Sequence, residues 1–246
     1  VTRILGIPTI TNITGIGPLF ASKSIAYRFA RSLYRFSLKR TACIFFQNND
    51  DRNLFLEHGF LHHQTHRLIP GSGIDYVHFS PAEKTFDKEA FVFLYIGRLL
   101  KDKGIVEFVE AARKIKSEYD NVLFRVIGPL WTQNLKDNTI TADQLEGWVS
   151  EGVINYVGEV LDVRSYISSS DSVVLPSYRE GTSNVLLEAS SMERPCITCD
   201  TTGCKEIVEH AVTGYLCKIA NSADLADKMR LMLNLSTDER LEMGKK

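Results

Sequence analysis

The chain reads as an α/β protein built on parallel sheets, and two observations carry that reading. From Phe91 onward, short β-rich apolar runs alternate with amphipathic helical stretches about six times, the pattern of a parallel sheet covered on both faces. The same alternation of strand and helix already runs through the first 60 or so residues. A length of 246 residues with 44% hydrophobic and 24% charged residues suits one large or two small globular domains.

Residues 7–14 (Ile-Pro-Thr-Ile-Thr-Asn-Ile-Thr) are β-rich and close on Gly15-Ile-Gly-Pro18, a strand running into a tight turn. In residues 21–40, Ile25, Phe29, Leu33 and Phe36 fall at helical spacing with bases between them. Such a helix, from Lys23 to Arg40, can lie on an anionic membrane surface or pack on its own sheet with its bases in water, and both readings stand. A strand over 43–46 and a helix over about 50–58 follow. His62, His63 and His66 read as a polar loop, because no second ligand group lies at metal-binding spacing. Residues 68–75 read as a strand entering a Gly-rich turn, and Ser80-Pro-Ala-Glu83 as a linker. These features divide the chain into a partial N-terminal domain, 1–80, and a C-terminal domain, 81–246.

The second domain opens with an apolar strand over 91–96 that ends in Gly97-Arg-Leu-Leu-Lys-Asp-Lys-Gly104. Ile105, Val109, Ala112 and Ile115 then share one face of a helix. Arg98 and Lys103 thus sit at the C-terminal end of a first strand, the edge where doubly wound sheets bind ligands, and two cations there suit a diphosphate. A strand over 122–128 ends at Gly128-Pro129, a short helix spans 145–149, and a strand over 154–157 closes on Gly158-Glu-Val160.

The run Asp171-Ser-Val-Val-Leu175 is a buried strand ending at Pro176. Gly181, Thr182, Ser183 and Asn184 then open a helix through Val185, Leu186, Leu187 and Ala189. Small residues at a helix start let an anion approach free N–H groups, where the macrodipole also favours negative charge. Glu180 precedes this helix and Glu188 lies about two turns further on, so about 10 Å would separate them. That spacing suits a transferred sugar near Glu180 and a ribose near Glu188, each carboxylate accepting hydroxyl hydrogen bonds. A strand over 195–199 follows, Gly203 permits close approach to a sugar, Glu206 begins another helix, and Asn221 caps a helix running to Leu233. Right-handed crossovers would line up Arg98, Gly128, Gly158 and Glu180 along one edge.

Lys and Arg number 29 against 30 Asp and Glu, a net charge of -1 that argues against a general nucleic-acid binder. The charge is uneven: no acid precedes Asp50, whereas seven bases do. Five cysteines, Cys43, Cys196, Cys199, Cys204 and Cys217, read as reduced buried thiols, and the CxxC spacing of Cys196 and Cys199 falls in a strand, which turns the two to opposite faces. No run approaches the roughly 18 apolar residues of a bilayer span.

Taken together, Gly97-Arg98 with Lys103-Gly104, the Glu180 and Glu188 pair at E-x7-E spacing, and Gly203-Cys-Lys-Glu-Ile-Val208 resemble the retaining GT-B glycosyltransferases of the glycosyltransferase 4 class. The resemblance covers nearly the whole chain and is strongest over 97–215. It implies a Rossmann-like, parallel-sheet C-terminal domain plus a partial N-terminal Rossmann-like domain, the chain being shorter than the family's at both ends. It assigns catalysis to Arg98, Lys103 and Glu180, with the two cations neutralising the donor diphosphate. Donor binding falls to Gly97, Gly128, Val157, Gly158, Val160, Gly181, Thr182, Ser183, Asn184 and Glu188, the turn over 156–160 holding the nucleobase through backbone groups. Thr14 and Gly15 fall on the acceptor side, although Thr14 stands where many members carry a His whose imidazole role it cannot fill.

Residues 10–17 and the Gly203-Cys-Lys-Glu206 form look most like the branch that builds capsule, O-antigen or other glycans on polyprenyl diphosphates. The implied reaction moves a sugar from a UDP-sugar, or a GDP-sugar, to a lipid-linked acceptor, with no metal or other cofactor and no nucleic-acid partner. The implied location is cytoplasmic, peripheral on the inner face of the membrane. Two rivals stay open: a UDP-sugar epimerase of the same architecture, and a nucleotide-sugar-binding fragment without activity.

Overall fold

The computed structural model describes residues 5–16, 25–61, 63–87, 89–131 and 138–246, apart from the side chains of 25–27. The expected turn at Pro18, the base Lys23, His62 and the Ile25 side chain lie outside these. Two compact units emerge, Val1–Gly73 with Glu180–Thr182, and Ile74–Arg179 with Ser183–Lys246. The parting falls before Ile74, not after residue 80. Phe79 packs against the second core, and its carbonyl accepts the Ser191 hydroxyl at 2.7 Å. The change in composition at Ser80-Pro81 therefore marks a loop inside the second unit.

In the first unit, β1 (Thr9–Ile13), β2 (Thr41–Phe46) and β3 (Thr65–Leu68) form a parallel sheet in the order β1-β2-β3. Strand β3 starts earlier than the sequence suggests, so His66 lies in a strand and not in a polar loop. Helix α1 (Ile25–Leu38) joins the first two strands and α2 (Asn49–Glu57) the next two. Asn48 caps α2, its Oδ1 accepting the Asp51 N–H at 2.7 Å. Ile13, Leu38, Ile44, Phe46, Phe55, Phe60 and Leu61 form the core, with Phe55 meeting Phe46 and Phe60 edge-on at 5.1 Å.

Helix α1 departs from the reading in which its apolar stripe packs on its own sheet with its bases in water. Phe29, Leu33 and Phe36 are 66%, 52% and 65% exposed in this chain, while Leu38 is buried. Arg31 donates to the His58 carbonyl at 3.0 Å, and Arg35 to the Gly59 and His58 carbonyls at 3.2 Å. Two of the bases thus satisfy the carbonyls left open at the end of α2, and the apolar stripe faces outward.

The second unit carries a six-stranded sheet, β4 (Phe91–Ile96), β5 (Val122–Ile127), β6 (Asn155–Gly158), β7 (Ser172–Leu175), β8 (Cys196–Cys199) and β9 (Gly214–Cys217). Every pairing is parallel and the order is β6-β5-β4-β7-β8-β9. The chain moves outward from β4 in one direction, then returns to β7 on the other side, so the order reverses between β4 and β7. All four residues of β7 are buried, as are five of the six in β4, which is why these strands read as continuous apolar runs. Helix α3 (Ile105–Lys116) buries Ile105, Phe108, Val109, Ala111, Ala112 and Ile115. Phe124 stacks on Phe93 at 5.4 Å and meets Phe108 edge-on at 5.7 Å; each such side chain contributes about 1.5–3 kcal/mol by burial.

Helices α4 (Ala142–Ser150), α6 (Asn184–Ser191) and α7 (Ser222–Asn234) follow the sequence pattern, and Asn221 caps α7. The short helix α5 (Arg164–Ser168), strand β9 and α8 (Thr237–Lys245) were not expected. Glu206 does not begin a helix: its carboxylate accepts the Gly203 N–H at 2.8 Å and closes a turn. Four cysteines are buried and all five are free thiols. Burial pushes the Cys196 thiol up to about 12. Cys199 faces Cys217 across the strand pair, with 3.7 Å between sulfurs, and not Cys196.

Gly104 links the loop after β4 to α3 with φ +74°, and a Cβ there would lie 2.1 Å from the Pro176 carbonyl oxygen. Gly104→Ala is expected to lower the unfolding free energy by about 2 kcal/mol or more, through backbone strain and overpacking. Denaturant titration showing a loss below about 0.5 kcal/mol would contradict this close approach.

Candidate active site

The loops that leave the C-terminal ends of β4 and β7 meet at the point of reversal. Leu99 and Leu100 are buried and anchor the first loop, and Leu99 N–H donates to Pro129 O at 3.1 Å. Beneath it, the Tyr95 hydroxyl donates to Arg98 O at 3.1 Å and lies 3.4 Å from Lys103 O. Asn138 takes the Lys101 N–H on its carbonyl and the Asp102 N–H on Oδ1, both at 2.8 Å. With its backbone so tied, the loop presents Arg98 as an exposed side chain, its guanidinium 5.3 Å from the Trp131 ring centroid.

The β7 loop is fastened to the β4 loop through one carbonyl. Asp102 O accepts the Tyr178 N–H at 2.8 Å and lies 3.3 Å from Ser177 Oγ. On the other flank, Gly97 N–H donates to Ile127 O and Gly128 N–H to Gly158 O, both at 2.9 Å. A Cβ on Gly128, where φ is +138°, would lie 2.0 Å from Gly97 O. Gly97, Gly128 and Gly158 are therefore consecutive backbone contacts along one sheet edge. Val157 and Val160 are partly buried against the core and contribute packing. Tyr156 donates its hydroxyl to Gly128 O at 2.9 Å.

Helix α6 starts later than the small-residue run suggests. Ser183 is its N-cap, with Oγ accepting the Leu186 N–H, and the helix begins at Asn184. The separation of Glu180 and Glu188 is thus not two helical turns. Ser183 N–H is already given to Gly203 O at 3.0 Å, so it is not the anion donor expected of it. Among the described residues no hydrogen bond engages the N–H groups of Asn184 and Val185, which makes Val185 a donor the sequence reading overlooked. Glu188 sits one turn into α6, half-buried, and no side chain or backbone donor among the described residues reaches its carboxylate.

Glu180, Gly181 and Thr182 group with the first unit, as do Thr14 and Gly15. There Asn48 Nδ2 donates to Gly181 O at 3.0 Å, and a Cβ on Gly181 would lie 1.7 Å from Thr14 O. A Cβ on Gly71 would lie 2.8 Å from the Thr182 side chain. Gly181 is thus held by backbone crowding, whatever else it does. The second unit brings Gly97, Arg98, Lys103, Gly128, Val157, Gly158, Val160, Ser183 and Asn184 to the C-terminal edge of its sheet, with Glu188 on the helix leaving it.

A family model described as "Glycosyl transferases group 1" matches residues 78–246. The chain belongs to the group 1 glycosyl transferases. The N,N'-diacetylbacillosaminyl-diphospho-undecaprenol alpha-1,3-N-acetylgalactosaminyltransferase of Campylobacter jejuni is 28% identical over 94% of this chain and 62% of its own length. The UDP-Gal:alpha-D-GlcNAc-diphosphoundecaprenol alpha-1,3-galactosyltransferase of Escherichia coli is 26% identical over 99% and 64%. The capsular polysaccharide biosynthesis glycosyltransferase CapM of Staphylococcus aureus is 34% identical over 58% and 37%. The chain thus spans under two thirds of the length of these relatives.

Among solved structures, Anabaena HepE in complex with UDP and glucose superposes with a TM-score of 0.80 at 18% identity, over 99% of this chain and 66% of that one. Sucrose-phosphate synthase from Thermosynechococcus elongatus gives 0.77 at 21%, over 97% and 61%. At these identities the likeness shows the fold alone, which is the α/β, GT-B type expected from the sequence. This group 1 glycosyl transferase has no helix among its described residues long and apolar enough to cross a membrane.

Burial raises the Glu188 carboxyl above the ordinary carboxylate range. The folded protein therefore holds this proton more tightly than the unfolded chain, so the group's contribution to stability is full below the unfolded value and is lost as pH rises through the folded one. Glu188→Gln is expected to raise the melting temperature at neutral pH and to give no gain below about pH 4. Equal melting temperatures at neutral pH would show that the carboxylate bears no desolvation cost.

Proposed function

We propose that the protein is a retaining glycosyltransferase that moves a sugar from a nucleotide-diphosphate donor, a UDP-sugar in the first instance, to a lipid-linked glycan acceptor. One observation carries the reading. At the reversal of strand order, a loop bearing Arg98 and Lys103 is hydrogen-bonded to the loop that feeds α6, whose first two N–H groups meet no acceptor among the described residues. Diphosphate oxygens would lie between the two cations and the N–H groups of Asn184 and Val185. Charge gathering on the leaving diphosphate would then be met by groups already in place, without a metal.

Glu188, half-buried and lacking a protein donor, would accept the ribose hydroxyls, and Glu180 the hydroxyls of the transferred sugar. The backbone edge at Gly128, Gly158 and Val160 would face the nucleobase, and Thr14 and Gly15 the acceptor. No side chain is assigned as nucleophile, consistent with same-face displacement guided by positioning. The names of the Campylobacter and Escherichia relatives, both acting on undecaprenyl diphosphates, support the acceptor class.

Calorimetry with UDP and GDP tests the donor site. UDP is expected to bind, and Glu188→Ala to weaken it about tenfold to a hundredfold, the loss of charged hydrogen bonds worth about 1.5–3 kcal/mol. Glu180→Ala is expected chiefly to lower turnover. Unchanged UDP affinity in Glu188→Ala would remove the ribose assignment, and epimerised sugar formed without acceptor would replace the transferase reading.

Reaching a lipid-linked acceptor calls for a membrane-facing surface, and α1 supplies the candidate. Its exposed Phe29, Leu33 and Phe36 share a helix with the exposed base Arg28, and Lys39 and Arg40 follow its end. On this proposal the protein sits peripherally on the cytoplasmic face of the membrane. It should bind anionic vesicles, lose affinity with added salt, and lose more with Phe29→Ser and Phe36→Ser together. Equal partitioning onto neutral vesicles would discard α1 as the anchor.

A further inference from the structure

We infer that Tyr178 is the positioning residue of the donor site, a single side chain and its backbone that lock three site loops into one register. The inference rests on the donor-site reading above and goes beyond it. Tyr178 N–H donates to Asp102 O at 2.8 Å, which ties it to the loop of Arg98 and Lys103. Its own carbonyl accepts the Thr201 hydroxyl at 2.8 Å, which ties it to the turn that carries Gly203. Its phenol donates to Glu107 Oε1 at 2.6 Å, which ties it to the first turn of α3. Two residues further on lies Glu180, and six further on the start of α6.

The chemistry of the phenol bond suits a fixed strut. A hydroxyl donating to a carboxylate is charge-assisted and short, roughly twice as strong as a neutral pair. Glu107 Oε2 is buried without a partner among the described residues, and the Tyr178 hydroxyl donates to the carboxylate's other oxygen. Burial, then the Glu107 bond, raises the phenol far above its ordinary range, so it remains a proton donor at all working pH. Thr201 is itself buried, which fixes the third anchor. Tyr178 and Glu107 are both half-buried, and Ser177 beside them is buried.

The test has to separate positioning from plain loss of stability. Tyr178→Phe alone leaves the Glu107 carboxylate buried and bare, which costs stability in itself. The informative variant is therefore Tyr178→Phe with Glu107→Met, where both polar partners go and the volume is kept. In the whole protein, this variant is expected to melt within a few degrees of wild type. Amide hydrogen exchange should quicken about tenfold in segments 97–104 and 176–184, with little change elsewhere, and UDP affinity should fall about fivefold to tenfold. Glu107→Gln, which can still accept the phenol proton, should keep the slow exchange of the two segments.

Exchange in those segments equal to wild type would overturn the inference, as would faster exchange with UDP affinity intact. Loss spread over every segment in step with a lowered melting temperature would also overturn it, as a merely structural effect. A wild-type protein that binds neither UDP nor GDP would instead remove the donor-site reading, and exchange alone would then decide whether Tyr178 couples the loops.

Discussion

The approach of two backbones at the reversal of strand order is the constraint on which the rest of the site depends. Strands β4 and β7 are parallel neighbours, so their C-terminal loops must leave the same edge. They can stay together only if nothing projects between them. Gly104 against Pro176 O meets that condition, and Gly128 against Gly97 O does the same between the loops after β4 and β5, each leaving no room for a Cβ. The glycines of this edge are thus steric requirements first, and any closeness of a ligand to the backbone is a consequence. Once the loops are so joined, cations on one and open N–H groups on the other share a neighbourhood, and an anion gains from both.

Much of this architecture is legible in the sequence because burial on both faces leaves a plain mark. The runs at 91–96 and 172–175 are apolar without alternation, and each ends at a glycine or proline where the chain turns. The face of α3 can be read by spacing alone, since Ile105, Val109, Ala112 and Ile115 are buried as their period requires. Legibility fails where a polar atom has two possible partners. Ser183 could have offered its N–H to a ligand, but Gly203 O, distant in sequence, takes it. Glu206 could have opened a helix, but its carboxylate closes a turn on Gly203 N–H instead. Tyr178 and Tyr95 carry no motif; their roles come from carbonyls and a carboxylate supplied by other loops.

Helix α1 shows a different limit. Periodicity identifies an apolar stripe but does not say what covers it, and here Phe29, Leu33 and Phe36 face outward while Arg31 and Arg35 serve carbonyls at the end of α2. The usual rule of apolar inward fails for this stripe, while two of the bases are spent on carbonyls beyond the end of α2. A guanidinium can satisfy two of them at once while its stem lies along the surface. The domain boundary shows the same limit, since composition changes at Pro81 whereas packing changes before Ile74.

On the proposed function, stability and use pull in opposite directions at Glu188. A carboxylate held half-buried without a donor is a cost to the folded state, and the upward shift of its proton affinity records that cost. Neighbouring positions show that the fold can do otherwise, since Glu107 at the start of α3 takes a phenol and Glu206 a backbone N–H. A half-buried acid one turn into α6 without a protein donor among the described residues therefore differs from Glu107 and Glu206. It retains acceptor capacity for hydroxyls that arrive with a ligand. The buried core of β4, β7 and α3 supplies the free energy that offsets this cost and keeps the loops from relaxing to satisfy the carboxylate themselves.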